Sequence, residues 1–155
     1  MQQHLFQFVD QWDPAFQAVA VALISAVPFV ESYVGSALGV LAGMPLWIAV
    51  PAAIVGNWIC MFILVMLADK LRGRYAKPYG EKSKSRERFE RMFNKWGVPG
   101  VSLLGQTVLP SQVTSAAMVG AGASRQQVIL WQSISIVLWG LVFGLLAMGG
   151  LAVFF

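Results

Sequence analysis

The chain has 155 residues, of which 57% are hydrophobic and only 12% charged, with a formal net charge of +4 at pH 7. So few polar groups could not cover the surface of a water-soluble globule, so lipid is the expected solvent. The single cysteine, Cys60, excludes an intrachain disulfide and thiolate metal clusters and reads as a small buried hydrophobe.

Residues 1–16 carry no lysine or arginine, so the basic start of a signal peptide is absent and the apolar segments themselves serve as insertion signals. His4 has no companion that would make it a metal ligand. The first apolar block runs from Ala15 to Ala68, 54 residues in which Glu31 is the only charged side chain. A spanning helix needs about 20 residues, so the block holds two passes, or one pass and a re-entrant segment. Pro28 interrupts it, a glycine-bearing stretch follows, Met44-Pro45 breaks it again, and Leu46 to Ala68 then supplies 23 unbroken residues.

Glu31 is the sharpest signal in this block. A carboxylate at a helix centre in lipid costs about 2.5–3.5 kcal/mol on insertion scales. With Pro28 as first residue of a helix, Glu31 falls in the first turn, where free N–H groups and the positive dipole end favour an anion. It either caps a buried half-helix or exchanges a proton with a substrate or cation in a wet cavity, and the second reading is preferred for an intramembrane acid. Asn57, after Gly56, either closes that cavity or makes an ordinary interhelical hydrogen bond. Gly35, Gly39 and Gly43, spaced by four, suit either dimerisation in a homo-oligomer or packing within one chain.

The middle segment holds ten of the eleven basic residues, from Lys70 to Lys95, against three acids, a net +7. The positive-inside rule makes this strip cytoplasmic, and its position beside membrane-length blocks speaks against nucleic acid. Phe89, Met92, Phe93 and Trp96 recur at helical spacing, which predicts an amphipathic helix lying on the inner leaflet, a topology anchor rather than part of the chemistry.

The second block, Val98 to Phe155, repeats the plan of the first. Trp96 to Gly100 opens it, Pro110 interrupts it, Ala123-Ser124-Arg125 breaks it, and Gln126 to Met148 supplies 23 more residues. Gln106, Thr107, Ser111, Gln112, Thr114 and Ser115 surround Pro110 and are expected to line a polar cavity, since polar groups at membrane depth survive only when protein-buried or wet. Arg125 reads first as an interfacial side chain reaching for water and second as a ligand. No nucleophile–base pair, metal-spaced cluster or phosphate loop occurs, so neither an enzyme nor a bound cofactor is expected.

Laid over each other, the halves align Pro28 with Pro110 and Gly43 with Gly122, the interrupted-segment pattern of a transporter built from repeats. Four full spans would put Arg125 outside, against the charge rule. The preferred topology has two re-entrant helical hairpins with tips near Pro28 and Pro110, each followed by one transmembrane helix. The first hairpin enters from outside and the second from inside. The expected fold is thus one all-α membrane domain over 1–155, with inverted repeats at about 15–69 and 97–150 joined by the basic linker and amphipathic helix at 70–96.

Ser25 to Glu31, Gly56-Asn57, Lys95-Trp96-Gly97 and Leu109-Pro110 resemble the small multidrug export family, itself similar to the DedA superfamily that includes lipid scramblases. The resemblance covers about residues 20–148. It implies re-entrant hairpins, proton-coupled transport and, in the superfamily, translocation of lipid-carrier phosphates. The arginine-bearing motifs that DedA proteins carry around the second hairpin's proline are absent, since Gly105 to Val113 holds no arginine. The P-G-T-G of the export proteins is replaced by Ser111-Gln112-Val113-Thr114. The chain is therefore expected to be a multi-pass protein of the bacterial inner membrane that exports an amphipathic or cationic small molecule in exchange for protons. The alternatives are a DedA-like lipid translocase and a non-transporting membrane scaffold.

Overall fold

The structure, a computed structural model, describes residues 13–72, 84–105 and 109–154. Side chains at 72, 84–86, 88–90, 92 and 151–154 lie outside that description. Among the described residues the chain forms six helices, α1 Pro14–Ser25, α2 Glu31–Leu41, α3 Leu46–Arg72, α4 Lys84–Leu104, α5 Ser111–Gly120 and α6 Arg125–Phe154. Two of them contain stretches long and apolar enough to cross a membrane, Leu46–Leu71 and Arg125–Gly150, each of 26 residues. At 1.5 Å per residue each such stretch measures about 39 Å, more than the roughly 30 Å of a hydrocarbon core.

Local chemistry sets the helix ends. Asp13 accepts a hydrogen bond from the Ala15 amide at 2.8 Å, and Pro14 occupies the first turn of α1, where its missing N–H costs nothing. The two short helices α2 and α5 end in the same way. Gly43 and Gly122 adopt left-handed φ values of 92° and 109°. The Gly43 amide bonds Val40 O at 3.0 Å while that of Met44 bonds Gly39 O at 3.0 Å; Gly122 and Ala123 bond Val119 O and Met118 O at 3.1 and 2.9 Å. Both are Schellman turns, each releasing the chain into a long helix. The Gly43–Gly122 correspondence read from the sequence is therefore a correspondence of backbone conformation.

Residues 84–96, where an amphipathic helix was expected, form the first part of α4, which bends at Gly97 (φ 62°) before Val98. Trp96 is half-exposed, and Lys95 Nζ lies 5.3 Å from its ring centroid, a cation–π contact. Phe93 is partly covered, whereas the side chains of Phe89 and Met92 lie outside the described residues.

The chain separates into two compact units that do not follow the order of the sequence, Met1–Cys60 with Ile136–Phe155, and Met61–Ser135. In the first, α1 and α2 form a hairpin packed on the first half of α3. A Cβ on Gly35 would meet Ser25 and Ala53, and one on Gly39 would meet Val21 and Ala49. Gly35 and Gly39 thus bring the hairpin arms and α3 together within one chain. Val21, Val40, Met44, Ala49 and Ala53 form the apolar core here. The middle of α6 runs beside the first half of α3, with Gly140 against Ile54 and Gly144 against Val50 and Leu46.

In the second unit, α4 packs on α5, and Ser135 of α6 reaches Ser102 of α4. Arg125 Nη1, opening α6, donates to Asp69 Oδ2 near the end of α3 at 2.9 Å. Cys60 departs from the expectation of burial. It is only half-buried, because α3 turns Met61 and Val65 into the packed face and leaves Cys60 on its shoulder beside exposed Ile59.

Candidate functional site

Both units are built inside out relative to a water-soluble protein. Leu23, Phe29, Trp47, Ile63, Leu130 and Leu146 are all more than half exposed, while Ser25, Glu31, Ser32, Ser36, Asn57, Ser102, Ser111, Gln112, Thr114, Ser115, Gln132 and Ser135 are wholly buried. Scattered exposed leucines mean little in any protein; an apolar exterior combined with a polar interior is informative.

Glu31 heads the first unit's polar set. It is the first residue of α2, and the buried face of that helix carries Glu31, Ser32, Gly35, Ser36, Gly39 and Val40, the stripe that a 3.6-residue period makes. Ser32 donates from Oγ to Ile136 O on α6 at 2.9 Å. Ser25 closes the stripe from α1 beside Gly35. Asn57 lies on α3, next to the point where Gly56 meets the Ala22 backbone. The sequence of this unit contains no lysine or arginine, and Glu31 is the one ionisable acid buried among its described residues.

The backbone around Glu31 is strained, and here the sequence expectation needs correction. Pro28 is not the first residue of the helix. It is the second residue of a turn in which the Val30 amide bonds Val27 O at 3.2 Å and that of Glu31 bonds the same carbonyl at 3.3 Å. Phe29 follows at φ 74°, a position that a type II turn normally gives to glycine, and Glu31 itself sits at φ 54°. Proline sets its own φ but disfavours helix in the residue before it, so the reversal is made at Pro28-Phe29 and α2 starts only at Glu31. The Tyr33 hydroxyl donates to Phe29 O at 3.2 Å, and its ring packs against Phe143 with centroids 5.3 Å apart, bracing the turn.

Two left-handed non-glycine residues within three positions store of order 1–3 kcal/mol each, and such strain gathers at functional sites. Because Phe29 is 71% exposed, little packing opposes its removal. Phe29→Gly is therefore expected to raise thermal stability in detergent by about 1 kcal/mol, after the entropy cost of glycine is subtracted. A lower melting temperature for the variant would show that the turn is unstrained.

The second unit's polar set is uncharged. Pro110 is buried and precedes α5 with φ −55° and ψ 140°, and Ser111, Gln112, Thr114 and Ser115 follow it into the interior. Several hydroxyls are turned back on backbone carbonyls: Thr114 Oγ1 to Pro110 O and Ser111 O at 3.1 Å each, and Ser115 Oγ to Ser111 O at 2.6 Å. Ser135 Oγ reaches across from α6 to Ser102 O at 2.6 Å. The amide of Gln132, also on α6, has neither its oxygen nor its nitrogen paired among the described residues. Gln106 and Thr107 lie outside them. Arg125 is set apart from this interior, half-exposed and paired with Asp69.

Ser25, Ser32, Ser36, Ser102, Gln132 and Ser135 were not among the residues singled out from the sequence. A signal for them existed: Ser32 and Ser36 share a helical face with Glu31, and Gln132 and Ser135 are one turn apart in an apolar run. Among the described residues no three His, Cys, Asp or Glu side chains come together to hold a metal ion. Comparisons with protein-family models, with curated proteins and with solved structures return no match.

Proposed function

We propose that the chain is a small multi-pass transporter of the bacterial inner membrane, exporting an amphipathic or cationic small molecule in exchange for protons at Glu31. The observation that carries this reading is the complete burial of Glu31 at a strained hairpin turn, in a unit whose sequence has no lysine or arginine. With no basic side chain in the unit's sequence, a proton or a bound cation would offset the carboxylate's charge, and one group that accepts either in turn is the minimal device for exchange. The same charge balance disfavours a phosphate-bearing cargo at Glu31. This reading agrees with the resemblance to the small multidrug export family.

The topology proposed with it is the pair of inverted re-entrant hairpins, α1–α2 from outside and residues 98–120 from inside, with α3 and α6 as the crossings. Arm lengths support it. The longest arm, α1, has 12 residues and reaches about 18 Å, well short of a 30 Å core. The Arg125–Asp69 pair supports it too, because α3 ends and α6 begins on one face, the face of the basic strip. In a Cys60→Ala background, Arg125→Cys is expected to react with an impermeant maleimide only from the cytoplasmic side. Reaction only from outside would restore four full spans.

The transport reading is tested with proteoliposomes of the full chain, loaded with a lipophilic dye cation and given a pH step. Dye movement that follows the step in size and sign is the expected result. Dye movement indifferent to pH, or movement of headgroup-labelled lipid alone, would overturn it, the latter in favour of a lipid translocase.

A further inference from the structure

At the end of α3 where the Arg125–Asp69 pair lies, the second unit opens a groove of about 570 Å³ lined by Phe62, Ile63, Met66, Leu67, Asp69, Lys70 and Arg125. Its walls and its rim have different chemistry. Ile63, Met66 and Leu67 are exposed along successive turns of α3, an apolar track from Phe62 to Lys70 of about 12 Å. The rim carries two cations and one carboxylate, a net charge of +1, and one of those cations, Lys70, is the first residue of the +7 basic strip. Among the described residues Arg125 is engaged through Nη1 with Asp69 at 2.9 Å, and a guanidinium has five N–H donors in a fork that suits phosphate.

We infer that this groove is a site for one anionic phospholipid of the cytoplasmic leaflet, its phosphate held by Arg125 and Lys70 and an acyl chain laid along Ile63, Met66 and Leu67. The inference rests on the membrane topology proposed above and is independent of proton exchange at Glu31. Charge complementarity selects the occupant. A monoanionic headgroup neutralises the rim's excess charge, a zwitterionic one leaves it, and a small soluble anion has no chain to lay along the apolar track. Asp69 divides the attraction, since it pairs with Arg125 and repels the phosphate, so the site is graded rather than permanently filled.

Native mass spectrometry of the full chain in neutral detergent, with added phosphatidylglycerol or phosphatidylcholine, tests this. One phosphatidylglycerol per chain is expected to be retained, with phosphatidylcholine held about tenfold more weakly. Arg125→Gln with Lys70→Gln is expected to remove that difference, and Asp69→Asn to strengthen phosphatidylglycerol binding about threefold, a gain that a misfolded variant would not show. Equal retention of the two lipids, weaker binding by Asp69→Asn, or displacement of the lipid by inorganic phosphate would each overturn the proposal. Glu31→Gln, which addresses transport, is expected to keep its bound lipid, so the two readings fail separately.

Discussion

Proteoliposomes carrying Glu31→Gln are expected to sustain no pH-driven gradient of the dye cation, although the variant folds. Glutamine keeps the length and hydrogen-bonding reach of glutamate but cannot take up a proton or neutralise a cation. For one-for-one exchange, one pH unit is worth about 1.4 kcal/mol and so balances about a tenfold concentration ratio of a monovalent cation. Wild-type chain should approach that ratio, and Glu31→Gln should stay at unity whatever the pH step. Glu31→Asp is expected to restore part of the coupling: it returns the carboxyl, shortened by one methylene, and aspartate tolerates the left-handed φ of 54° better than most residues. A Glu31→Gln chain that still built the wild-type gradient would end the proton-exchange reading, and Glu31 would then be a helix-terminal anion with a purely structural role.

The largest effect on stability is expected at Gly56. A Cβ there would lie against the backbone of Ala22, 2.7 Å from its Cα and closer still to its carbonyl. Backbone cannot rotate aside as a side chain can, so α1 and α3 would have to separate along their contact. Gly56→Ala is expected to cost about 3 kcal/mol by overpacking, against the roughly 1 kcal/mol that alanine returns in helix propensity. Gly149 provides the control. It also lies in a helix, but a Cβ there meets nothing within 4 Å, so Gly149→Ala is expected to stabilise by up to about 1 kcal/mol. Unfolding in mixed micelles should therefore show shifts of opposite sign for the same substitution. Equal shifts would mean that α1 does not pack on α3 at Gly56. Because Ala22 and Ser25 lie on the arm that leads to the Glu31 turn, loss of this contact should also impair transport.

The residues that sequence reasoning reached were those whose chemistry acts one at a time. Glu31 stood out because a lone acid in an apolar run is costly wherever its side chain points. Pro28, Gly43, Pro110 and Gly122 stood out because their backbones cannot continue a helix. The long apolar helices expected at Leu46–Ala68 and Gln126–Met148 appear as the cores of α3 and α6, longer by a turn or two at the ends. α2 begins three residues beyond Pro28, at Glu31. Proline's preference for a first helical turn is a local property, whereas the reversal at Phe29 is set by the packing of α1 on α2.

Hydropathy, charge and helix-breaking are properties of short stretches, so the order of residues alone marked out the long apolar segments, the basic strip, the two interruptions and the exceptional acid. Pairings between residues far apart depend on which face each helix turns to its neighbours, and that is set only when all the helices pack at once. The tertiary structure therefore decided that Gly35 and Gly39 pack inside one chain, that Ser32 bonds to Ile136 and Ser135 to Ser102, and that Arg125 meets Asp69. It also decided the strained backbone at Phe29 and Glu31. Apolar side chains on the outer faces of these helices leave the polar ones to one another and to the backbone, so packing buries Glu31 together with the serines, Asn57 and the glutamines.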